Sequence, residues 1–77
     1  MDAVEKVRAI VAERSGRPLS DIGPYSLLKD DLGLDSLDHV EIIVQIEKQF
    51  RLGISDEDAV AMKTVGDLVN YVVTRVN

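Results

Sequence analysis

Residues 36–50 read SLDHVEIIVQIEKQF, and their apolar side chains recur with the period of an α-helix. At 100° per residue, counted from Leu37, one set of apolar residues falls between about 140° and 240°. This first stripe consists of Ile42, Ile43, Ile46 and Phe50. A second stripe, between about 300° and 0°, consists of Leu37, Val40 and Val44. We therefore predict a helix over 36–50 whose first stripe faces the core.

The second stripe of this helix can be covered in two ways. Either the preceding loop folds over it or it is offered to a partner protein, because a helix in so small a chain cannot readily bury both stripes. Acidic residues frame it, namely Asp35, Asp38, Glu41 and Glu47. This pattern favours the partner.

The sequence between Ser15 and Asp35 lacks helical periodicity. It is interrupted by residues typical of turns, namely Gly16, Pro18, Gly23, Pro24 and Gly33. An irregular connection of about 20 residues is unusual in a small domain, and this one is also rich in apolar groups. These are Leu19, Ile22, Tyr25, Leu27, Leu28, Leu32 and Leu34. We therefore expect a long loop, with one short helical turn, that packs over the core.

Helices are also predicted on both sides of this region. Residues 3–14 have amphipathic spacing, with Asp2 as the expected N-cap and Gly16 as the stop. Ser55 begins a capping box that predicts a short helix to about Met62. A second capping box, at Thr64, predicts a last helix to about Val76. The core stripe of that helix would be Val65, Leu68, Val69, Val72 and Val76.

Together these segments predict an all-α fold. It is a small bundle of three main helices plus one short helix, with a long loop between helices 1 and 2. With 77 residues, the chain has the size of one small domain, which we expect to span residues 1–77. Since the chain has no cysteine, a disulfide, a thiolate metal site and a cysteine nucleophile are excluded.

Apolar runs and charge restrict the partners of the protein. The apolar runs are too short to span a membrane, and the first residues lack the apolar core of a signal peptide, so we expect a cytoplasmic protein. We also expect it to be a monomer. Residues 30–60 contain nine acids against two bases, a net charge of −7 in a chain of net charge −5. This segment would repel nucleic acid and steer a basic protein surface towards itself. The other interpretation is a solvated face that maintains solubility.

Ser36 is the candidate for covalent chemistry, since its hydroxyl lies at the N-terminus of the predicted helix 36–50. From spacing alone it is either an N-cap or a modified hydroxyl whose phosphate the helix dipole would stabilise. A hydrolase triad with His39 is disfavoured because the sequence lacks a G-x-S-x-G elbow. The run from Asp30 to Glu41 fails as a calcium loop because leucines occupy two ligand positions, so no metal site is predicted.

The segment from Asp31 to Asp38, DLGLDSLD, resembles the attachment motif of the acyl carrier proteins, whose centre is Asp-Ser-Leu. The resemblance extends over nearly the whole chain. It implies that a phosphopantetheinyl transferase attaches a 4′-phosphopantetheine arm from coenzyme A to Ser36. The terminal thiol of the arm would hold acyl groups as thioesters, so that the cofactor supplies the sulfur that the chain lacks. The protein itself would be a carrier and not an enzyme.

The resemblance also implies roles for other residues. Asp35, the acid before the serine, would help the transferase to bind. The exposed apolar contacts would be Leu37, Val40 and Val44, and the acids that meet Lys and Arg on partners would be Asp38, Glu41 and Glu47. Those partners would be acyl-processing enzymes with basic patches: a ketosynthase, an acyltransferase, a reductase or an acyl-carrier synthetase. The acyl chain would lie inside the bundle against Leu28, Leu32, His39, Ile46, Met62 and Leu68.

Some positions depart from the common pattern of the family. Fatty-acid carriers are usually acidic through the end of the second helix, whereas this chain has Lys48, Gln49 and Arg51. We therefore expect a specialised carrier, dedicated to one pathway of fatty-acid, lipid or polyketide biosynthesis. Peptidyl or aminoacyl carriers share the fold, but the acid at Asp35 favours the acyl branch. The remaining alternative is an unmodified helical interaction module in which Ser36 is only a cap.

Overall fold

The computed structural model describes residues 2–76. Within this range α1 spans Ala3–Ser15, α2 spans Ser36–Phe50, α3 spans Asp56–Ala61 and α4 spans Val65–Val73. The loop between α1 and α2 contains one 3₁₀ turn, Leu19–Asp21. The described residues form no strand, although Leu27 and Thr64 make one isolated antiparallel bridge. The predicted all-α fold is confirmed.

Met1 and Asn77, the ends of the predicted domain 1–77, lie outside the described residues. None of the helices within residues 2–76 combines the length and the hydropathy that a membrane crossing requires.

Capping sets the ends of the helices. The carboxylate of Asp2 accepts a hydrogen bond from the N–H of Glu5, and Gly16 ends α1 with a left-handed φ of 71°. At α4, Thr64 and Asp67 form the complete predicted capping box. At α3 the hydroxyl of Ser55 accepts a hydrogen bond from the N–H of Asp58. The carboxylate of Asp58 does not accept one from the N–H of Ser55, so the predicted capping box is only half formed.

The last helix is shorter than predicted. It ends at Val73 instead of Val76, and Val76 is exposed, so its assignment to the core stripe was wrong. Residues 73–76 are all exposed. Since a short helix depends on the packing of its apolar face, α4 ends where that packing ends, just after the buried Val72.

A single hydrophobic core is shared by the helices and the loop. α1 packs against both α2 and α4. The predicted first stripe of α2 is confirmed, since Ile42, Ile43 and Ile46 are buried and Phe50 packs against the core. The loop contributes Ile22, Leu28, Leu32 and Leu34, which confirms that it packs over the core. The other three apolar side chains of the loop are exposed, Tyr25 at 89% and both Leu19 and Leu27 at 37%.

The loop is also held through its backbone. Its carbonyl groups at Pro24 and Ser26 accept hydrogen bonds from the N–H groups of Gly66 and Val65, at 2.8 and 3.1 Å. In the opposite direction, the N–H of Leu28 donates to the carbonyl of Lys63 at 2.9 Å. These bonds fix the loop against the start of α4, and the loop in turn leads into α2.

Candidate functional site

Ser36 is the first residue of α2, and its side chain is exposed. The interpretation of Ser36 as the N-cap is wrong, because Asp35 occupies that position with an extended backbone. Asp35 already supplies the oxygen that a helix N-terminus requires, so the hydroxyl is not needed for capping. Among residues 2–76 the Ser36 hydroxyl makes no hydrogen bond, and the residue is exposed to solvent.

A reciprocal capping box joins Asp35 to Asp38. The Oδ1 atom of Asp35 accepts a hydrogen bond from the N–H of Asp38 at 2.9 Å, and the Oδ2 atom of Asp38 accepts one from the N–H of Asp35 at 3.1 Å. The Oδ1 atom of Asp38 accepts a third bond, from the Nε–H of Arg14 in α1, at 2.8 Å. The backbone N–H of Asp35 and the guanidinium of Arg14 lower the pKa of Asp38, so this carboxylate stays ionised near neutral pH.

The turn before Asp35 is anchored in the core. Leu32 and Leu34 are buried, and Gly33 between them has a left-handed φ of 68°, which residues with a Cβ rarely adopt. The N–H of Leu34 donates to the carbonyl of Leu28 at 3.0 Å. The carboxylate of Asp31 accepts from the N–H of Leu27 at 2.8 Å. This packing determines where α2, and with it Ser36, begins.

The N-terminus of α2 suits an anionic group attached to Ser36. The backbone N–H groups of Ser36 and Leu37 have no acceptor within residues 2–76, and the positive end of the helix dipole lies beside them. Such a terminus stabilises phosphate groups. The exposed hydroxyl and these donors therefore fit a phosphate ester at this position.

An exposed apolar face extends from this site. Leu37 is 65% exposed and Val40 is 54% exposed, so the loop does not cover them, whereas Val44 is half-buried. Val60 at the end of α3 is 67% exposed. Val60 directly follows Ala59, whose carbonyl accepts a hydrogen bond from His39 of α2. Val60 was not among the residues predicted for partner recognition, because helical spacing relates positions within one helix only.

The acids predicted for partner recognition differ in their surroundings. The carboxylate of Asp38 is bonded to Arg14, and the Oε2 atom of Glu47 accepts the N–H of Ile54 at 2.9 Å. Glu41 is half-buried and makes no side-chain hydrogen bond within the described part of the chain, and Asp35 is exposed. In residues 2–76, no three His, Cys, Asp or Glu side chains are grouped so that they could hold a metal ion.

Five of the six residues predicted to contact an acyl chain lie together in the core. They are Leu28, Leu32, Ile46, Met62 and Leu68. The sixth, His39, is half-buried, and its Nε2–H donates to the carbonyl of Ala59 at 2.8 Å. This hydrogen bond ties α2 to the last turn of α3, so the ring acts as a structural contact between helices.

A surface groove between α1 and α2, of about 350 Å³, was not predicted. It is lined by Ile10, Glu13, Arg14, Glu41, Ile42, Gln45 and Gln49. None of the six predicted acyl contacts lines it. Only the packing of two helices separated by a long loop creates this groove, so periodicity within either helix does not reveal it.

A comparison with known protein families found a match over most of the chain. The family model described as phosphopantetheine attachment site matches residues 5–72, from the first turn of α1 to Val72 in α4. Carrier domains of this kind hold 4′-phosphopantetheine as a prosthetic group, and they interact with phosphopantetheinyl transferases and acyl-processing enzymes. The chain therefore belongs to the family of carrier proteins with a phosphopantetheine attachment site, and its cofactor is 4′-phosphopantetheine.

Proposed function

We propose that this carrier holds acyl intermediates as thioesters on an arm attached to Ser36 and delivers them to enzymes of one pathway of fatty-acid, lipid or polyketide biosynthesis. The observation that carries the proposal is the exposed hydroxyl directly after the N-cap of α2, which makes no hydrogen bond within residues 2–76. Because Asp35 forms the cap, esterification of Ser36 leaves the first hydrogen bonds of the helix intact. The cofactor supplies the thiol, so the chain acts as a carrier and not as an enzyme.

The exposed apolar face supports a docking role for the start of α2. Leu37 and Val40 would enter an apolar pocket of the partner, with Val44 at the edge of the contact. Asp35 and Glu41 would meet Lys or Arg around that pocket. The carboxylates of Asp38 and Glu47, although bonded within the chain, add to the negative field that steers such a partner. Fast, charge-steered encounters suit a carrier that visits several enzymes.

The acyl chain would lie in the core beneath α3, against Leu28, Leu32, Ile46, Met62 and Leu68, with His39 at the rim. Support comes from α3 itself, which has six residues and none of them buried. An element with so few buried contacts opens at low free-energy cost. Separation of α3 from α2 would expose these side chains to an acyl group.

The proposal also includes the class of cargo and the oligomeric state of the protein. The acid at Asp35 favours an acyl cargo over an aminoacyl or peptidyl one. We further propose that residues 1–77 form one domain that works as a monomer. An unmodified interaction module would use the same exposed Leu37 and Val40, so the two functions are distinguished by testing attachment directly.

The intact mass of the purified protein tests attachment at Ser36. The protein is incubated with coenzyme A and a broad-specificity phosphopantetheinyl transferase. We expect the mass to increase by one phosphopantetheine group. Ser36→Ala should remain unmodified, whereas the matched variant Ser20→Ala, at another exposed serine, should be modified like the wild type.

Two results would contradict the proposal. Modification of Ser36→Ala would move the attachment point to another residue. An unmodified wild type, beside a control carrier that is modified in the same tube, would favour the interaction module. Once attachment is established, parallel loading with acyl and aminoacyl groups by the corresponding enzymes distinguishes the two cargo classes.

A further inference from the structure

Arg14 connects the two ends of the long loop. It lies in the last turn of α1, and its ion-pair partner Asp38 lies in the first turn of α2, 24 positions later. The distance from Nε of Arg14 to Oδ1 of Asp38 is 2.8 Å. The other ion pair within residues 2–76, between Arg8 and Glu5, stays inside α1. The Arg14 pair is thus the one that joins two helices.

Asp38 uses its two carboxylate oxygens for different purposes. Oδ1 binds Arg14, and Oδ2 binds the N–H of Asp35, the residue directly before Ser36. When Arg14 holds Oδ1, rotation of the carboxylate is restricted and Oδ2 stays directed at that N–H. The peptide that leads into Ser36 is therefore oriented from α1.

This contact is expected to contribute little to stability. Both side chains of the pair are partly exposed, and exposed ion pairs typically contribute about 0–1 kcal/mol. The orientation of a reacting group can affect the reaction rate much more strongly, because a displacement of about 1 Å can lower that rate by roughly a hundredfold. A weak contact that directs the peptide before the reacting hydroxyl can thus affect rate more than stability.

We infer that Arg14 is a positioning residue for the modification of Ser36, acting through the capping box of Asp38 and Asp35; this role rests on the function proposed above. Ser36 and Asp38 are two positions apart, so their side chains leave α2 about 160° apart. Arg14 therefore lies on the far side of α2 from the hydroxyl that reacts. Its effect is transmitted by the backbone of Asp35 and not by direct contact with the reacting atoms.

Single-turnover modification at saturating transferase tests this role, since it separates the chemical step from binding. We expect Arg14→Gln to lower the rate roughly three- to tenfold, less than the hundredfold of a full 1 Å displacement. The matched control Arg17→Gln removes the same charge from an exposed arginine and should retain the wild-type rate. Asp38→Asn should lower the rate as Arg14→Gln does, and the double variant should show no further loss.

Hydrogen exchange provides a readout that does not depend on the transferase. Arg14→Gln should accelerate exchange of the Asp35 amide and leave the amide of the buried Val72 unchanged, which also verifies that the variant is folded. A wild-type rate in Arg14→Gln, or losses that multiply in the double variant, would overturn the role of Arg14 alone. An unmodified wild type would overturn the proposed function and this role with it.

Discussion

Asp35 and Ser36 are neighbours with separate tasks at the start of α2, and mutation should separate them. Asp35→Ala removes the carboxylate that accepts the N–H of Asp38, so the free energy of unfolding should fall by about 0.5–2 kcal/mol. Ser36→Ala removes an exposed hydroxyl that makes no hydrogen bond in residues 2–76, so the change should stay within about 0.5 kcal/mol. Urea unfolding of both variants measures the difference. Equal losses would mean that the serine contributes to the cap.

Gly66 is required for close approach of two backbones. A Cβ at this position would lie 2.7 Å from the carbonyl oxygen of Pro24, which also accepts the N–H of Gly66. Gly66→Ala should therefore destabilise the protein by roughly 1–3 kcal/mol, the usual cost of overpacking. At Gly53 an added Cβ meets no atom of the described residues 2–76 within 4 Å, so Gly53→Ala is the matched control. If both variants unfold at the same urea concentration, the close approach of the two backbones at Gly66 does not require a glycine.

At the scale of elements, Arg8 attaches the loop to α1. Its Nε–H and one terminal N–H group donate to the carbonyls of Ile22 and Leu19, both at 2.9 Å. Arg8→Met keeps the apolar stem but leaves these acceptors without the arginine, so stability should fall by roughly 1–2 kcal/mol. Arg17→Met, at an exposed position within the same loop, should alter the stability by less than about 0.5 kcal/mol. Equal losses of stability in the two variants, measured by thermal or urea unfolding, would contradict the role of Arg8 in holding the loop against α1.

The start of α4 is an acid-sensitive element. Hydrogen bonds from the backbone N–H groups of Lys63 and Thr64 lower the pKa of Asp67. Because the folded pKa is below the unfolded one, this contribution to stability is present above the unfolded pKa of about 4 and is lost as the pH falls through the folded pKa. The urea midpoint of the wild type should therefore fall as the pH is lowered from about pH 5 to about pH 3, and it should fall less steeply in Asp67→Asn.

The matched control for this pH dependence is Asp21→Asn, at an exposed acid that makes no side-chain hydrogen bond in residues 2–76. Its urea midpoint should follow the wild-type curve. A slope in Asp67→Asn equal to that of the wild type would assign the acid sensitivity to other carboxylates.

For the molecule as a whole, the concentration of acids between residues 30 and 60 should make partner encounters salt-dependent. Raising the ionic strength from about 0.01 M to about 0.15 M shortens the Debye length from about 30 Å to about 8 Å. The kcat/KM of a phosphopantetheinyl transferase for this protein should then fall by at least roughly threefold. Glu41→Gln should reduce the salt dependence of kcat/KM more than Asp21→Asn does, because Asp21 lies outside the acidic segment. If kcat/KM has the same salt dependence in both variants, the acids of residues 30–60 do not steer the transferase.

The helices were largely predictable because their signals are local. The bounds of α2 follow from its periodicity, and Gly16 and Thr64 mark the ends of helices through bonds that reach only four residues. The predicted helix ends were wrong where local signals do not decide the position. Asp35 and Ser36 are both good N-caps, and only the backbone conformation selects Asp35. Val76 continues the helical spacing of α4, but no packing extends to it.

The sequence by itself determined the helical class, the position of α2 and the serine at its start, because periodicity, caps and turn residues act over a few positions. Tertiary structure alone decided which side chains bond from one helix to another. Arg14 meets Asp38 and His39 meets Ala59 only after the long loop has closed and the helices have packed. Such contacts join residues 20 or more positions apart, and their geometry depends on the packing of whole helices, which no local pattern encodes.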